Sequence, residues 1–291
     1  MRNDVELMIP ARKANIGIEV NRVLPYFKKR MVGPFIFLDE MGPTILYNQE
    51  QSMDVRPHPH IGLSTLTYLF KGEILHRDSL GSEQIIYPGQ VNWMTAGRGI
   101  SHSEREPQYN RSLKREIHGL QFWVALPKHL EDMEPSFVHY GKQDIPEFRE
   151  GPLLIKLVAG HAFGRSSELK SYSPMTFIVM QAQEKGDFKF PGSCHEHALY
   201  VVDGELEING VKYSKNQMVV FKIGSSILAT YSKDARFVLI GGEAFPEKRH
   251  IWWNLVSSDP EKIEKAKIAW ENGTFPMVPS EKDMIPLPNS K

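Results

Sequence analysis

A single cysteine, Cys194, in 291 residues leaves no thiol for an intramolecular disulfide and none for a cysteine-rich zinc cage. Any metal bound by this chain therefore rests on histidines and carboxylates. Charge of one sign is equally scarce: Lys+Arg and Asp+Glu each number 35, and no long block of either sign occurs. The electrostatic footprint of a protein held by nucleic acid phosphates is missing, so direct nucleic acid binding is not expected. No window approaches the roughly 18 apolar residues of a membrane-spanning helix. The stretch MRNDVELMIPARKAN scatters charges where a secretory leader would carry an apolar core. The chain reads as soluble and untargeted, without a membrane partner, and as a monomer of a reducing compartment: cytoplasmic, or nuclear in a eukaryote.

What is present is mostly β-strand pattern. Runs such as LSTLTYLF, QIIYPGQVNWM, LQFWVAL, LLIKLVAG, TFIVMQA, ALYVVDGELEING and ARFVLIGG are rich in β-branched and aromatic residues and are broken by Gly, Pro and Asn. Many short strands at this spacing predict sandwiches or barrels. With 41% hydrophobic residues, the length suits two ordinary cores better than one. The polar, proline-bearing segment KHLEDMEPSFVHYGKQDIPEFREGP reads as the passage between them, which puts the boundary near residue 135 and predicts domains 1–135 and 136–291. One amphipathic helix is predicted near the end. Asp259 can cap it, Pro260 suits its first position, and Ile263, Ala266 and Trp270 share a face before Gly273. The tail FPMVPSEKDMIPLPNSK, with four prolines, is predicted as an extended strap or as disordered.

An internal repeat supports two β domains. Tyr68 to Gly72 followed by Glu-Ile lines up with Tyr200 to Gly204 followed by Glu-Leu, and a Gly/Asn-Gln-Val/Met step follows each.

Chemistry concentrates in HPHIGLSTLTYLFKG, residues 58–72. On a strand, positions i and i+2 project from one face, so His58 and His60 point the same way, while Pro57 and Pro59 stiffen the approach. The stretch SHSE, residues 101–104, repeats the spacing with His102 and Glu104 after the glycine-rich turn AGRGI. Three histidines and a carboxylate meet if the two strands are neighbours.

The order of these pieces resembles the two-motif signature of the cupin family. Four residues separate His60 from Thr65, which stands where the first motif has its glutamate, and six more lead to Gly72. Gly89 opens the second motif, Thr95-Ala-Gly97 replaces Pro-x-Gly, and His102 arrives two residues late. Glu104 then supplies the displaced carboxylate. Together with GPFIFLDEMGP, RPHPHIGLSTLTYLFKGEILHRDSLG, NWMTAGRGISHSE, HGLQFWVALP and IWWNLVSS, the chain resembles pirin-like proteins over essentially its whole length.

The resemblance implies an all-β bicupin, two antiparallel β-barrels of the jelly-roll type with a C-terminal α-helix. It implies one divalent transition metal in the N-terminal barrel, iron(II) foremost, with Ni, Co, Mn, Cu or Zn able to use the same donors. Carried over residue by residue, the ligands are His58, His60, His102 and Glu104. The implied activity is that of a quercetin 2,3-dioxygenase, which opens the central ring of a flavonol with O2, Glu104 serving as catalytic base. The competing class is an iron-binding, redox-sensitive regulator that acts through a protein partner. A metal-stabilised barrel without turnover is a third reading.

The second half offers HEH at residues 195–197, but aligning the repeat without gaps puts the ligand positions at Phe190 and Gly192. No metal is expected there. For His76, His118, His129, His139, His161 and His250, ordinary polar or packing roles are expected, and for Arg77, Asp78 and His76 together a surface salt link or support of the ligands. Phe35, Phe37, Leu38, Met41, Trp93 and Met94 lie near the motifs as pocket candidates and read as core; Gly97 and Gly99 read as turn glycines.

Overall fold

The apolar runs broken by Gly, Pro and Asn fold as strands throughout the computed structural model, which describes residues 4–16, 18–48, 51–279 and 281–288. The first three residues of the stretch MRNDVELMIPARKAN, and Ser280 and the last three residues of the tail, lie outside that range. The strands build two compact units, the two-barrel, mostly β architecture expected of a bicupin. One unit comprises residues 1–13, 21–38 and 142–245, the other 14–20, 39–141 and 246–291. This differs from the expected 1–135 and 136–291. Strand Ser136–Tyr140 pairs with Val91–Thr95 and so belongs with the residues before it, and the chain crosses over after Gly141. Both termini also exchange. Strand Val5–Pro10 pairs with Gln217–Phe221, covering a sheet edge whose backbone donors and acceptors need partners.

In the unit of residues 142–245, a seven-stranded sheet runs Val5–Pro10, Gln217–Phe221, Glu196–Asp203, Arg236–Gly242, Met175–Ala182, Leu153–Ala159, Glu147–Glu150. A four-stranded sheet runs Gly186–Phe190, Ile227–Tyr231, Glu205–Ile208, Val211–Ser214. The apolar cluster shared by the two sheets includes Leu157, Phe188, Leu199, Leu206, Tyr231 and Phe237.

The unit of residues 39–141 repeats this plan. Its four-stranded sheet runs Val55–His60, Ile100–Arg105, Ile74–Asp78, Glu83–Ile86, and the opposing sheet includes Ser136–Tyr140, Val91–Thr95, Leu63–Lys71 and Arg115–Ala125 in that order. The sequence repeat is visible down to its turns. Gly72 and Gly204 end equivalent strands at φ +85 and +77. Gly89 and Asn216 take φ +79 and +68, and the next residue, Gln90 or Gln217, accepts a hydrogen bond from Tyr87 N at 2.9 Å or Ser214 N at 2.8 Å.

The predicted helix spans Pro260–Glu271. Glu261 N donates to the Asp259 carboxylate at 2.9 Å, and Ile263, Ala266 and Trp270 are the buried face. They pack on Ile61, Leu255 and Phe275. Burying a ring of about 200 Å² at ~25 cal/mol per Å² contributes ~5 kcal/mol, which makes Trp270 the anchor. Beyond the helix the tail runs as a strap without regular structure. Ile285 N donates to Pro57 O at 2.8 Å, Trp270 Nε1 donates to Ile285 O at 2.9 Å, and Glu281 accepts from Ser103 and Arg105. Ser101, Ser103 and Arg105 thus meet the strap from one face of their strand, which leaves the other face to His102 and Glu104.

Candidate metal centre

His58 and His60 lie on Val55–His60, an edge strand of the four-stranded sheet. Pro57 and Pro59 are tolerated there because an edge strand needs ladder donors on one side only. The neighbouring strand, Ile100–Arg105, sets His102 opposite His58 and Ile100 opposite His60. Gly97 opens this strand's turn at φ +51, where a Cβ would meet the Met133 carbonyl oxygen at 2.0 Å, so only glycine fits. Gly97 is a turn residue, as expected.

The three histidines converge. One ring nitrogen of each lies within 4.8 Å of the other two, and among the described residues this is the one group of three metal-capable side chains so arranged. Their second nitrogens decide the protonation. His58 Nδ1 lies 2.8 Å from Arg56 O, and His60 Nδ1 lies 3.0 Å from Asn254 O. A carbonyl oxygen only accepts, so both Nδ1 atoms carry the proton and both Nε2 lone pairs face inward. His60 Nε2 and His102 Nε2 approach to 3.1 Å. Two donors at about 2.1 Å from one ion stand about 3.0 Å apart when they subtend a right angle, so these two nitrogens are close enough to share one ion. The residues present fit a divalent transition metal with positions left open.

Burial keeps the donors neutral. It is the largest cause holding the His58 imidazolium down to about 4, opposed by the Arg56 carbonyl. His60 and His102 are held well below the usual value by burial and by neighbouring histidines. Neutral imidazole is the form that ligates.

Glu104 is not part of the group within 4.8 Å. It follows His102 by two residues, with a β-bulge between them on the side facing Val55–His60. Its carboxylate lies 3.2 Å from Thr67 Oγ1, which also lies 2.8 Å from Gln121 Oε1. Burial raises the Glu104 carboxyl above its usual range, against the lowering effects of His76 and Thr67.

His76 and Asp78, expected in a surface salt link or in support of the ligands, are 2% and 0% exposed and lie beside the triad, which excludes the surface role. In register His102 faces Asp78 and Glu104 faces His76. His76 Nδ1 is 3.3 Å from His102 Nδ1, and His76 Nε2 is 3.0 Å from Asp78 Oδ2. The signal was available: HRD has the same i, i+2 spacing as HPH and HSE. His118, by contrast, pairs with the buried Glu40 at 2.8 Å. Met94 packs with Ala96 and Ile100, and Met41 with Leu69 and Ile74, so these pocket candidates are core.

A family model described as Pirin matches residues 17–124, and one described as Pirin C-terminal cupin domain matches 177–276. Over 288 residues the chain is 43% identical to a pirin-like protein of Caulobacter vibrioides, covering 98% of this chain and 99% of the relative. The chain belongs to the pirin family. A Pseudomonas aeruginosa protein provisionally named quercetin 2,3-dioxygenase is 37% identical over 270 residues, 91% of this chain and 83% of that one. The crystal structure of a quercetin 2,3-dioxygenase from Acinetobacter baumannii superposes with TM-score 0.92 at 34% identity, covering 99% of this chain and 97% of that one.

The other barrel of this pirin-family chain shows what replaces these four candidate residues. Ala229 faces Phe188 and Ile227 faces Phe190, just as His102 faces His58 and Ile100 faces His60; Leu206 faces Tyr231 as His76 faces Glu104. The positions equivalent to His58, His60, His102 and Glu104 are therefore Phe188, Phe190, Ala229 and Tyr231. The gapless expectation of Phe190 and Gly192 is off by two residues, because the loop of residues 191–195 is longer than its counterpart at 61–62. His197 lies edge-on to Phe190 at 5.2 Å.

Proposed function

We propose that this pirin-family protein is a quercetin 2,3-dioxygenase that opens the central ring of a flavonol with O2 and releases carbon monoxide, using one divalent metal, iron(II) foremost, on His58, His60, His102 and Glu104. The observation that carries the reading is a buried proton acceptor, Glu104, two residues from His102 on one strand face and beside the converging imidazoles of His58, His60 and His102. A metal held by these residues would supply Lewis-acid chemistry at the flavonol 3-hydroxyl. Glu104, whose affinity for a proton is raised by burial, takes the 3-hydroxyl proton. Thr67 has one hydroxyl proton for two acceptors. It steadies Glu104 as a carboxylate and turns to Gln121 once Glu104 is neutral. Trp123, edge-on to His60 at 5.3 Å, holds that ring and keeps water from its flank.

A second reading, the metal-dependent regulator acting through a protein partner, is favoured by burial: His58, His60 and His102 are 6%, 1% and 1% exposed. A cavity of about 360 Å³ is lined by Ile61, Gly62, Lys262 and Phe275 but by none of the three histidines.

Oxygen uptake with quercetin separates the readings, using metal-free protein reloaded in turn with Fe(II), Mn(II), Co(II), Ni(II) and Cu(II), with His58→Ala alongside. The expected result is uptake with one ion that vanishes in the variant. Stoichiometric binding of every ion without uptake overturns the enzymatic reading in favour of the regulatory one.

A further inference from the structure

The geometry points to Asp78 and His76 as positioning residues that dictate which nitrogen of His102 faces the metal. This rests on the reading of His102 as a ligand and adds to it the device that makes it one.

His58 and His60 each have a backbone carbonyl to hold the proton on Nδ1. The His102 Nδ1 partner is the His76 ring, which can donate or accept and so specifies nothing by itself. The choice is made one residue further out. Leu80 N and Ser82 N donate to Asp78 Oδ1 at 2.9 and 3.0 Å, which leaves Oδ2 as an acceptor 3.0 Å from His76 Nε2. His76 therefore carries its proton on Nε2 and presents a lone pair at Nδ1. That lone pair, 3.3 Å away, takes the His102 Nδ1 proton. His102 Nε2 is left with its lone pair toward the centre. Each proton has one acceptor, and no other placement serves every pair while leaving His102 able to ligate. The ring plane of His76 is fixed as well, since Phe137 stacks on it with centroids 4.3 Å apart and planes 14° apart. Asp78, His76 and His102 are 0%, 2% and 1% exposed, so water does not replace a missing link.

Asp78→Asn keeps the shape and the Oδ1 acceptor but turns an amide toward His76. The amide donates where the carboxylate accepted, so His76 moves its proton to Nδ1 and His102 moves its own to Nε2, where it blocks the metal. Cobalt(II) titration of the metal-free proteins is expected to show affinity lowered 10- to 100-fold in the variant, the range for lost outer partners of metal-bound histidines. Long-range proton–nitrogen correlation spectra of the imidazoles read the cause directly: the His102 proton on Nδ1 in the wild type and on Nε2 in Asp78→Asn. A purely structural role for Asp78 does not move that proton. Variant affinity within twofold of the wild type, or a wild-type His102 proton on Nε2, overturns the proposal, and the second outcome is readable even if the variant does not fold. Neither readout involves quercetin, so failure of the flavonol reaction leaves this inference standing, and its own failure leaves the reaction untouched.

Discussion

The two barrels share one strand order and have opposite interiors. Where one places His58, His60, His102 and Glu104, the other places Phe188, Phe190, Ala229 and Tyr231. On the opposing sheet Thr67 hydrogen-bonds Glu104 and Gln121, whereas Leu199 is part of an apolar cluster. The comparison separates what the fold requires from what the chemistry requires. Strand pairing and the turns at Gly72 and Gly204 are common to both, so they serve the barrel. A polar interior costs stability unless each group is hydrogen-bonded or bound to metal, and it is kept in one barrel only. In the other, aromatic and aliphatic side chains fill the same space and hold the core by burial.

That contrast can be broken from either side. The largest expected effect is on turnover: Glu104→Gln keeps the shape but removes the proton acceptor, and flavonol oxidation is expected to fall about 100-fold or more while metal occupancy, read by elemental analysis, falls much less. A large loss of metal with unchanged activity per remaining bound ion would make Glu104 a ligand only. Phe188→His copies the His58 imidazole into the filled barrel, where Ala229 stands opposite it in place of His102. The imidazole is then buried without a partner, and urea denaturation is expected to show a loss of about 3 kcal/mol that added zinc does not restore.

A change of pH acts on both barrels alike. His58 and His197 are each held down to about 4, chiefly by burial, against 6.5 in an unfolded chain. Unfolding therefore takes up protons between these values. Their contribution to the stability of the metal-free protein is complete above pH 6.5, falls as the pH drops through the window, and levels off below about pH 4. Thermal melts across that range check the sign, and a flat profile would contradict it. The smallest effect is expected at the helix. Asp259→Ala removes one cap from Pro260–Glu271 and should cost about 1 kcal/mol in the same melts, without changing metal content.

Much of the metal barrel was legible because its signals are local. Histidines at i and i+2 share a strand face whatever the rest of the chain does, and Asp259, Pro260 and Gly273 bracket a helix within a few residues of one another. Less legible were features that depend on pairing between distant segments. The polar passage after LQFWVALP contains the strand Ser136–Tyr140, whose place is set by Val91–Thr95. The equivalence of Phe188 with His58 is hidden by a loop-length difference that a gapless alignment cannot see. HRD carried the same spacing as HPH and HSE, yet spacing alone does not tell a surface strand from one whose side chains point into the barrel.

The amino-acid sequence alone determined two β-rich halves, one capped C-terminal helix, and His58, His60 and His102 as candidates on two strands, because periodicity and capping act over a few residues. Tertiary structure alone decided that the halves exchange their ends. It also decided that Asp78 reaches His102 through His76, and that the Glu104 carboxylate accepts a hydrogen bond from Thr67. Those outcomes depend on which strands become neighbours and in what register, and register is a property of the assembled sheet.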